Sequence, residues 1–193
     1  MSKSGKKEAI MTASLALFAE RGFAATTMPM ISGSAGVAAG TVYRYFDSKE
    51  ALLNFVFRKS VGELLAALQQ EQKTPPVDGK SFRERFRRMF YGLWQFSKEQ
   101  PLALQFVTSS TNHLHLDDES KRCMEHFMQY LQDTVQWGQQ EGELRPLPLE
   151  VIVSIVYGAF LQLSVNFRSG WLRETPELLA ELEDCCWNAV RRN

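Results

Sequence analysis

A short run of hydroxyl and basic side chains near residue 40 has the residue types that contact DNA. Within residues 40–46, Val42 and Phe46 lie four positions apart, so on a helix both face inward. The more exposed faces then carry Thr41, Tyr43, Arg44 and Tyr45. Hydroxyls and a guanidinium suit phosphate oxygens and base edges. Lys49, at the start of the next predicted helix, is placed to meet a phosphate.

Two short helices and a tight turn would position this run. Thr26 and Thr27 offer N-cap hydroxyls for the first helix, and Pro29 falls in its first turn. Gly36 can adopt the positive φ that the reversal needs, and Val37 can anchor the turn in the core. The pattern predicts a helix-turn-helix whose second helix covers about 38–45. A structural helical hairpin with solvated polar residues is the alternative, because short helix pairs are common.

Helical periodicity continues through the rest of the chain and predicts an all-α fold of about nine helices. The other helices are expected at 6–21, 49–72, from 81, 101–108, 117–141, 149–168 and from 175. Gly22 is a natural stop for the first, and Thr175 with Pro176 begins the last. We therefore expect a three-helix head, residues 1–48, and a larger helical body, residues 49–193.

Charge and composition bear on partners and compartment. Residues 1–60 hold eight Lys/Arg against four Asp/Glu, and the remainder 14 against 18, giving +4 and −4. A basic head favours a polyanionic partner. The apolar tract 151–167 is interrupted by polar residues and shorter than the roughly 20 residues of a membrane span, so a buried helix and no membrane partner are expected. Three cysteines without a disulfide pattern, and a polar start, favour the cytoplasm.

Residues 9–53 also contain a long ungapped pattern. It comprises residues 16–23 (ALFAERGF), 25–27 (ATT), Ile31, 35–37 (AGV), 40–46 (GTVYRYF), 48–50 (SKE) and Leu52. This pattern closely resembles the DNA-binding domain of the TetR family of transcriptional regulators. The resemblance implies a homodimer on a palindromic operator, with a body that dimerises and binds a small-molecule effector. It is most consistent with a repressor.

The resemblance also implies which residues contact DNA. Carried over by position, they are Thr27, Ala39, Thr41, Tyr43, Arg44, Tyr45 and Lys49. Ala38 and Ala39 depart from the family pattern, which often has Ser and a longer polar residue there. The departure removes an N-cap and leaves the operator sequence open.

The body is rich in aromatic residues, which are hard to pack without gaps, and gaps between helices form ligand pockets. The pocket candidates are Phe86, Phe90, Trp94, Phe106, Phe127, Tyr130, Tyr157 and Phe160. Polar candidates to orient a ligand are Gln105, Asn112, His113, His126, Gln162 and Asn166. We expect a largely apolar ligand whose binding releases the DNA. The alternative is that all the rings are simply core.

The last two helices are predicted to form a four-helix bundle with a second copy. The interface candidates are Val156, Phe160, Leu178, Leu182, Cys185 and Ala189. The eighth helix is apolar nearly all round, which indicates burial on more than one side. Gly158 and Ala159 would allow close approach.

Other residue clusters favour plainer interpretations. His113 and His115 do not share a helical face, so no metal site is predicted. Cys185 and Cys186 are expected to pack as small apolar groups, with a thiol sensor as the alternative. The arginine run 83–88 is expected on a solvated face, with an anionic ligand group as the alternative. Since no nucleophile–base pair or glycine-rich phosphate loop stands out, neither an enzyme nor a cofactor is expected. A small-molecule carrier and a structural helical protein remain as other classes.

Overall fold

The computed structural model describes residues 3–70, 81–109 and 114–192, and that part of the chain contains nine helices and no strand. The helices are α1 (Lys3–Ala25), α2 (Met28–Ser34), α3 (Ala39–Tyr43), α4 (Lys49–Gln70), α5 (Phe82–Glu99), α6 (Pro101–Thr108), α7 (Asp118–Gln140), α8 (Leu149–Arg168) and α9 (Pro176–Val190). The prediction of an all-α fold with about nine helices is confirmed.

The described residues pack as two compact units, and the grouping differs from the predicted division at residue 48. Unit 1 combines Met1–Ala66 with Lys98–Phe127, and unit 2 combines Ala67–Ser97 with Met128–Asn193. Unit 1 therefore contains α6 and the start of α7 besides the three-helix head. The reason is visible in its core, where Phe106 of α6 lies 6.0 Å from both Phe18 of α1 and Phe57 of α4, measured between ring centroids.

The corner between α1 and α2 departs from helical geometry at Gly22. Its φ of 75° and ψ of 170° lie in a region that favours glycine, which confirms the predicted stop at this residue. The Thr26 hydroxyl, fully buried, donates to the carbonyl of Gly22 at 2.8 Å. Thr26 therefore holds the corner closed, while Thr27 supplies the N-cap of α2 by accepting from the Met30 amide.

Unit 2 is organised around α5, whose N-terminus is capped from a distant part of the chain. The carboxylate of Glu143 accepts from the backbone amides of Phe82 at 2.7 Å and Arg83 at 3.1 Å. Farther along α5, Gly92 lies so close to α4 that a Cβ there would be 2.5 Å from the Ala67 carbonyl oxygen. The carboxylate of Glu143 at the N-terminus and the absence of a side chain at Gly92 thus determine how α5 packs.

Helix α8 is less buried than its composition predicts. Its buried residues are Leu149, Ile152, Phe160 and Ser164, which follow one face only. Leu161 and Val165 remain 37% and 46% exposed. Among the described helices, α8 alone is long and apolar enough to pass a simple test for a membrane span. The expectation of a helix buried on more than one side is therefore not met within a single chain.

Candidate DNA-binding surface

The turn between α2 and α3 has the geometry that the sequence indicates. Gly36 has a φ of 64°, and the Val37 amide donates to the Ser32 carbonyl at 3.0 Å, which closes the reversal. Ala38 stands at the N-cap of α3 and makes no side-chain capping bond, as expected for alanine. Helix α3 thus follows α2 after a tight turn, in the arrangement of a helix-turn-helix.

One side of α3 is fixed in the core and the other is open. Val42 is fully buried and Phe46, just beyond the helix, is 6% exposed, so the inward pair predicted from spacing is confirmed. Tyr43 is 52% exposed, so its ring and phenol hydroxyl are accessible to a partner. Ala39 and Arg44 are exposed as well, while Thr41 and Tyr45 are half-buried. The open side therefore offers a phenol, a guanidinium and a hydroxyl to a partner.

Lys49 is placed differently from the prediction of a phosphate contact. Its ammonium donates to the carbonyls of Phe23 and Thr26, both at 2.8 Å, and lies 4.1 Å from the centroid of the Phe23 ring. The side chain thus holds the corner after α1 against the start of α4. Lys49 acts first as a positioning residue for the head.

The structure links α4 to the segment before α7 through contacts that the sequence did not predict. Asn54 is 3% exposed; its side-chain amide donates to the His115 carbonyl, and its side-chain oxygen accepts from the Asp117 amide at 2.9 Å. The Arg58 guanidinium donates to the Asp117 carboxylate at 3.2 Å and to the Ser120 hydroxyl at 3.0 Å. A buried asparagine within the apolar stretch 52–57 was the available signal.

Of the two histidines for which no metal site was predicted, one lies in the described part of the chain. The His115 ring packs on Phe23 at 4.1 Å between centroids, on a ring that Lys49 also contacts. His113 and Asn112 lie outside the described residues. Within residues 3–70, 81–109 and 114–192, no three His, Cys, Asp or Glu side chains are grouped to hold a metal ion.

Six of the eight aromatic pocket candidates lie in unit 2. Phe160 is 1% exposed and is the centre of a ring cluster, with Trp94 at 5.6 Å and with Phe90 and Tyr157 both at 6.2 Å. Phe86 packs against the ring of Trp187. Tyr130 donates to the Leu68 carbonyl and lies under the Arg85 guanidinium.

The other two pocket candidates require a correction. Phe106 and Phe127 belong to unit 1, where Phe106 is fully buried, so the eight candidates do not all lie in one unit. The aromatic content of the sequence made both of them pocket or core candidates but could not say to which unit they belong. Two of the polar candidates lie in unit 1, where Gln105 donates to the Ala19 carbonyl and His126 is exposed. Two others, Gln162 and Asn166, form a hydrogen bond with each other along α8.

The interface candidates also divide. Phe160 is enclosed by rings of its own chain and is withdrawn from the interface set, since a 1% exposed side chain cannot cover a second copy. Cys185 and Ala189 are exposed on α9, and Val156, Leu178 and Leu182 are half-buried. Cys185 is thus open rather than packed, whereas Cys186 is buried, and burial raises the pKa of its thiol.

The arginine run on α5 is less solvated than expected. Arg83 makes a bidentate pair with Glu183 of α9, which is 1% exposed, and the Arg87 guanidinium reaches the same carboxylate. The Nε atoms of Arg85 and Arg88 are buried with no hydrogen-bond partner in the described part of the chain. The run therefore faces the interior of unit 2 at several positions.

A helix-turn-helix with an open second helix, on an otherwise helical chain, defines a class: helical DNA-binding proteins. Known families agree with this assignment over nearly the whole length. The family described as "Bacterial regulatory proteins, tetR family" matches residues 10–56, and "Tetracyclin repressor-like, C-terminal domain" matches residues 57–192. The chain belongs to the TetR family and is a DNA-binding transcriptional regulator.

Individual relatives are distant but cover most of the chain. An uncharacterized HTH-type transcriptional regulator of Haemophilus influenzae is 24% identical over 98% of both chains. The "Probable acrEF/envCD operon repressor" of Escherichia coli is 27% identical over 86% of this chain and 80% of its own. A solved TetR family transcription regulator of Marinobacter aquaeolei has a TM-score of 0.85 at 24% identity, covering 98% of this chain and 97% of its own.

Proposed function

We propose that the protein is a homodimeric repressor that binds a palindromic operator through α3 and leaves it when an apolar ligand binds unit 2. The proposal assigns it to the cytoplasm, without catalysis and without a cofactor. The open side of α3, with Tyr43 exposed at the end of the helix and Val42 buried in the core, is the observation that carries the DNA-binding part. A helix held from one side can enter the major groove without disturbing its own packing.

The DNA-binding part is tested with the protein's own operator, obtained by selecting bound fragments from genomic DNA. Tyr43→Ala is expected to weaken operator binding by about 1–3 kcal/mol per half-site, the range of one good base or phosphate contact. Arg44→Ala is expected to lower the salt dependence by about one phosphate contact per protomer. Arg122→Ala, an exposed arginine on α7, is the matched control. Unchanged affinity in both α3 variants would refute the assignment.

The homodimer is supported by the unburied side of α8. Leu161 and Val165 lie on it four residues apart, and the exposed Gly158 and Ala159 leave room for a second helix. A twofold contact fits a palindromic operator. Leu161→Arg is expected to convert a dimer to a monomer in sedimentation equilibrium at micromolar concentration. Leu114→Arg, at an exposed leucine of unit 1, is the control, and a wild-type monomer would contradict the proposal.

The ligand is proposed to bind among the rings around Phe160. Rings from α5 and α8 meet there, Phe90 and Trp94 against Phe160, which supports a largely apolar ligand. Release of DNA follows if the ligand prefers a dimer with altered spacing of its recognition helices. Phe90→Ala is expected to blunt release by an active compound while sparing operator binding. The screen records thermal stabilisation and loss of operator binding together, and compounds that stabilise without releasing DNA would contradict the mechanism.

A further inference from the structure

The turn between α8 and α9 carries the most exposed large apolar side chain in the described part of the chain. Trp171 is 86% exposed, and Leu172 beside it is 37% exposed. Tryptophan is highly buried on average in folded chains and is enriched at protein interfaces. An exposed indole next to an exposed leucine is therefore a candidate contact surface.

The backbone of this turn is well defined by hydrogen bonds. Gly170 has a φ of 76°, its amide donates to the Phe167 carbonyl at 3.2 Å, and the Trp171 amide donates to the Asn166 carbonyl at 3.0 Å. These bonds form a Schellman motif, in which the residue at the position of Trp171 commonly packs back on the helix. Here its ring is open instead. Because the backbone is already ordered, docking of the ring requires little loss of conformational freedom in the turn.

Trp171 and Leu172 extend the unburied side of α8. Leu161 and Val165 lie on that side four residues apart, and the exposed Arg168 follows three residues later on the same face. The exposed surface therefore continues from α8 into the turn. A second copy that covers α8 would meet the turn as well.

Charged side chains of both signs follow this surface. Arg168 and Arg173 lie on either side of the ring in sequence; both are exposed, and neither makes an ion pair within the described residues. Glu177 and Glu181 are exposed on α9 about one helical turn apart, and Glu181 makes no ion pair in that part of the chain either. The turn and the start of α9 thus hold two positive and two negative side chains.

We propose that Trp171 anchors the contact with a second copy of this chain, where it packs on α9 while Arg168 and Arg173 pair with Glu177 and Glu181 of that copy. The inference rests on the proposed homodimer and names the residues that hold it together. A second copy fits because the surface carries both signs of charge, so a twofold axis sets each basic turn against the acidic side of the other α9. A polyanion or an anionic membrane would be repelled by Glu177 and Glu181.

Sedimentation equilibrium of the full chain measures the contribution of the ring. Trp171→Ala is expected to raise the dimer dissociation constant about 30-fold or more, the effect of losing one interface hot spot. Leu114→Ala, at an 83% exposed leucine of unit 1, is the control and is expected to change nothing. An unchanged constant in Trp171→Ala would overturn the inference but leave the homodimer, whereas a wild-type monomer would overturn both. Wild-type binding to anionic vesicles that Trp171→Ala loses, with the dimer unchanged, would likewise overturn it.

A charge exchange tests the pairing across the twofold axis. A turn variant combines Arg168→Glu with Arg173→Glu, and a helix variant carries Glu181→Arg. Each sets like charges against each other in its own homodimer and is expected to associate about ten-fold more weakly than the wild type. Mixed together, the two variants are expected to form a heterodimer about ten-fold tighter than either homodimer, because both twofold-related contacts then join opposite charges. A mixture that associates no better than the separate variants would refute the pairing.

Discussion

Replacing Arg83 with methionine is expected to cost about 3 kcal/mol of unfolding free energy, because it leaves a buried carboxylate without its main partner. Glu183 is 1% exposed, and both of its oxygens accept from the Arg83 guanidinium. After the substitution, the partner that remains to Glu183 among the described residues is the Nε of Arg87, at 3.4 Å. Breaking a buried pair costs about 3–5 kcal/mol, and the 25% exposure of Arg83 places this pair at the lower end.

A double-mutant cycle with Glu183 separates the interaction between the two side chains from their contacts with the surroundings. Glu183→Met is expected to cost only about 1 kcal/mol, since Arg83 is part-exposed and can turn to water or to Asp184 at 3.5 Å. The double variant replaces the pair with two apolar side chains and is expected within about 1 kcal/mol of the wild type. The two single variants together cost about 4 kcal/mol, so the predicted coupling is about 3–5 kcal/mol and favours the intact or the fully apolar pair.

Urea unfolding followed by circular dichroism at pH 7 measures all four proteins. For a chain of this length, 3 kcal/mol corresponds to a decrease in Tm of about 6–12 °C. The Arg83 pKa is raised by its hydrogen bond to Glu183, so this stabilisation is lost only as the pH rises through an already very high value. If Arg83→Met costs less than about 1 kcal/mol, or if the two single costs simply add, the pair is not the buried contact described here.

Three further substitutions test other contacts. Lys49→Ala is expected to weaken operator binding by disordering the corner after α1, with an unchanged salt dependence. If the slope of log affinity against log salt concentration fell by one instead, Lys49 would be a phosphate contact as predicted from the sequence. Partial burial acts to raise the pKa of Asp117, but Ser120 and Arg58 lower it. In urea titrations, the stability difference between wild type and Asp117→Asn should therefore be present near neutral pH and shrink as the pH falls below about 4. A pH-independent difference would contradict this. Gly92→Ala should lower Tm because its Cβ would meet the Ala67 carbonyl, whereas Gly62→Ala, in open space, should raise the stability by up to about 1 kcal/mol; equal effects would argue against the close α4–α5 approach.

The helices and their ends were largely predictable because their causes are local. Gly22, Gly36 and Pro176 act through their own backbone geometry, and each stands at the boundary that the sequence indicates. Thr175 likewise accepts from the Leu178 amide as the predicted cap of α9. Capping and turn chemistry depend on neighbours within four residues, which a single sequence contains.

The partners of distant side chains were not predictable, for the same reason. Periodicity shows that Phe106 and Phe160 are buried, but not that the first lies in unit 1 and the second at the centre of the rings in unit 2. From the sequence, Lys49 is expected to be an exposed basic residue, and only the structure shows that it contacts the carbonyls at the corner after α1. In the sequence, Glu183 looks like one more acid on the surface of α9. It is buried and paired with Arg83, which lies 100 positions earlier in the chain, and such a partner cannot be identified from neighbouring residues.

The shortness of α3 has a consequence for how the protein can evolve. Of the five residues of the helix, Val42 alone is buried, and the rest contribute little to the core. Substitutions at Ala39 or Tyr43 can therefore change the preferred base sequence with little loss of stability, typically within about 0.5 kcal/mol for surface positions. A duplicated gene could acquire a new set of target promoters while its fold stays intact. A combinatorial library at these exposed positions is accordingly the practical route to re-engineering the operator.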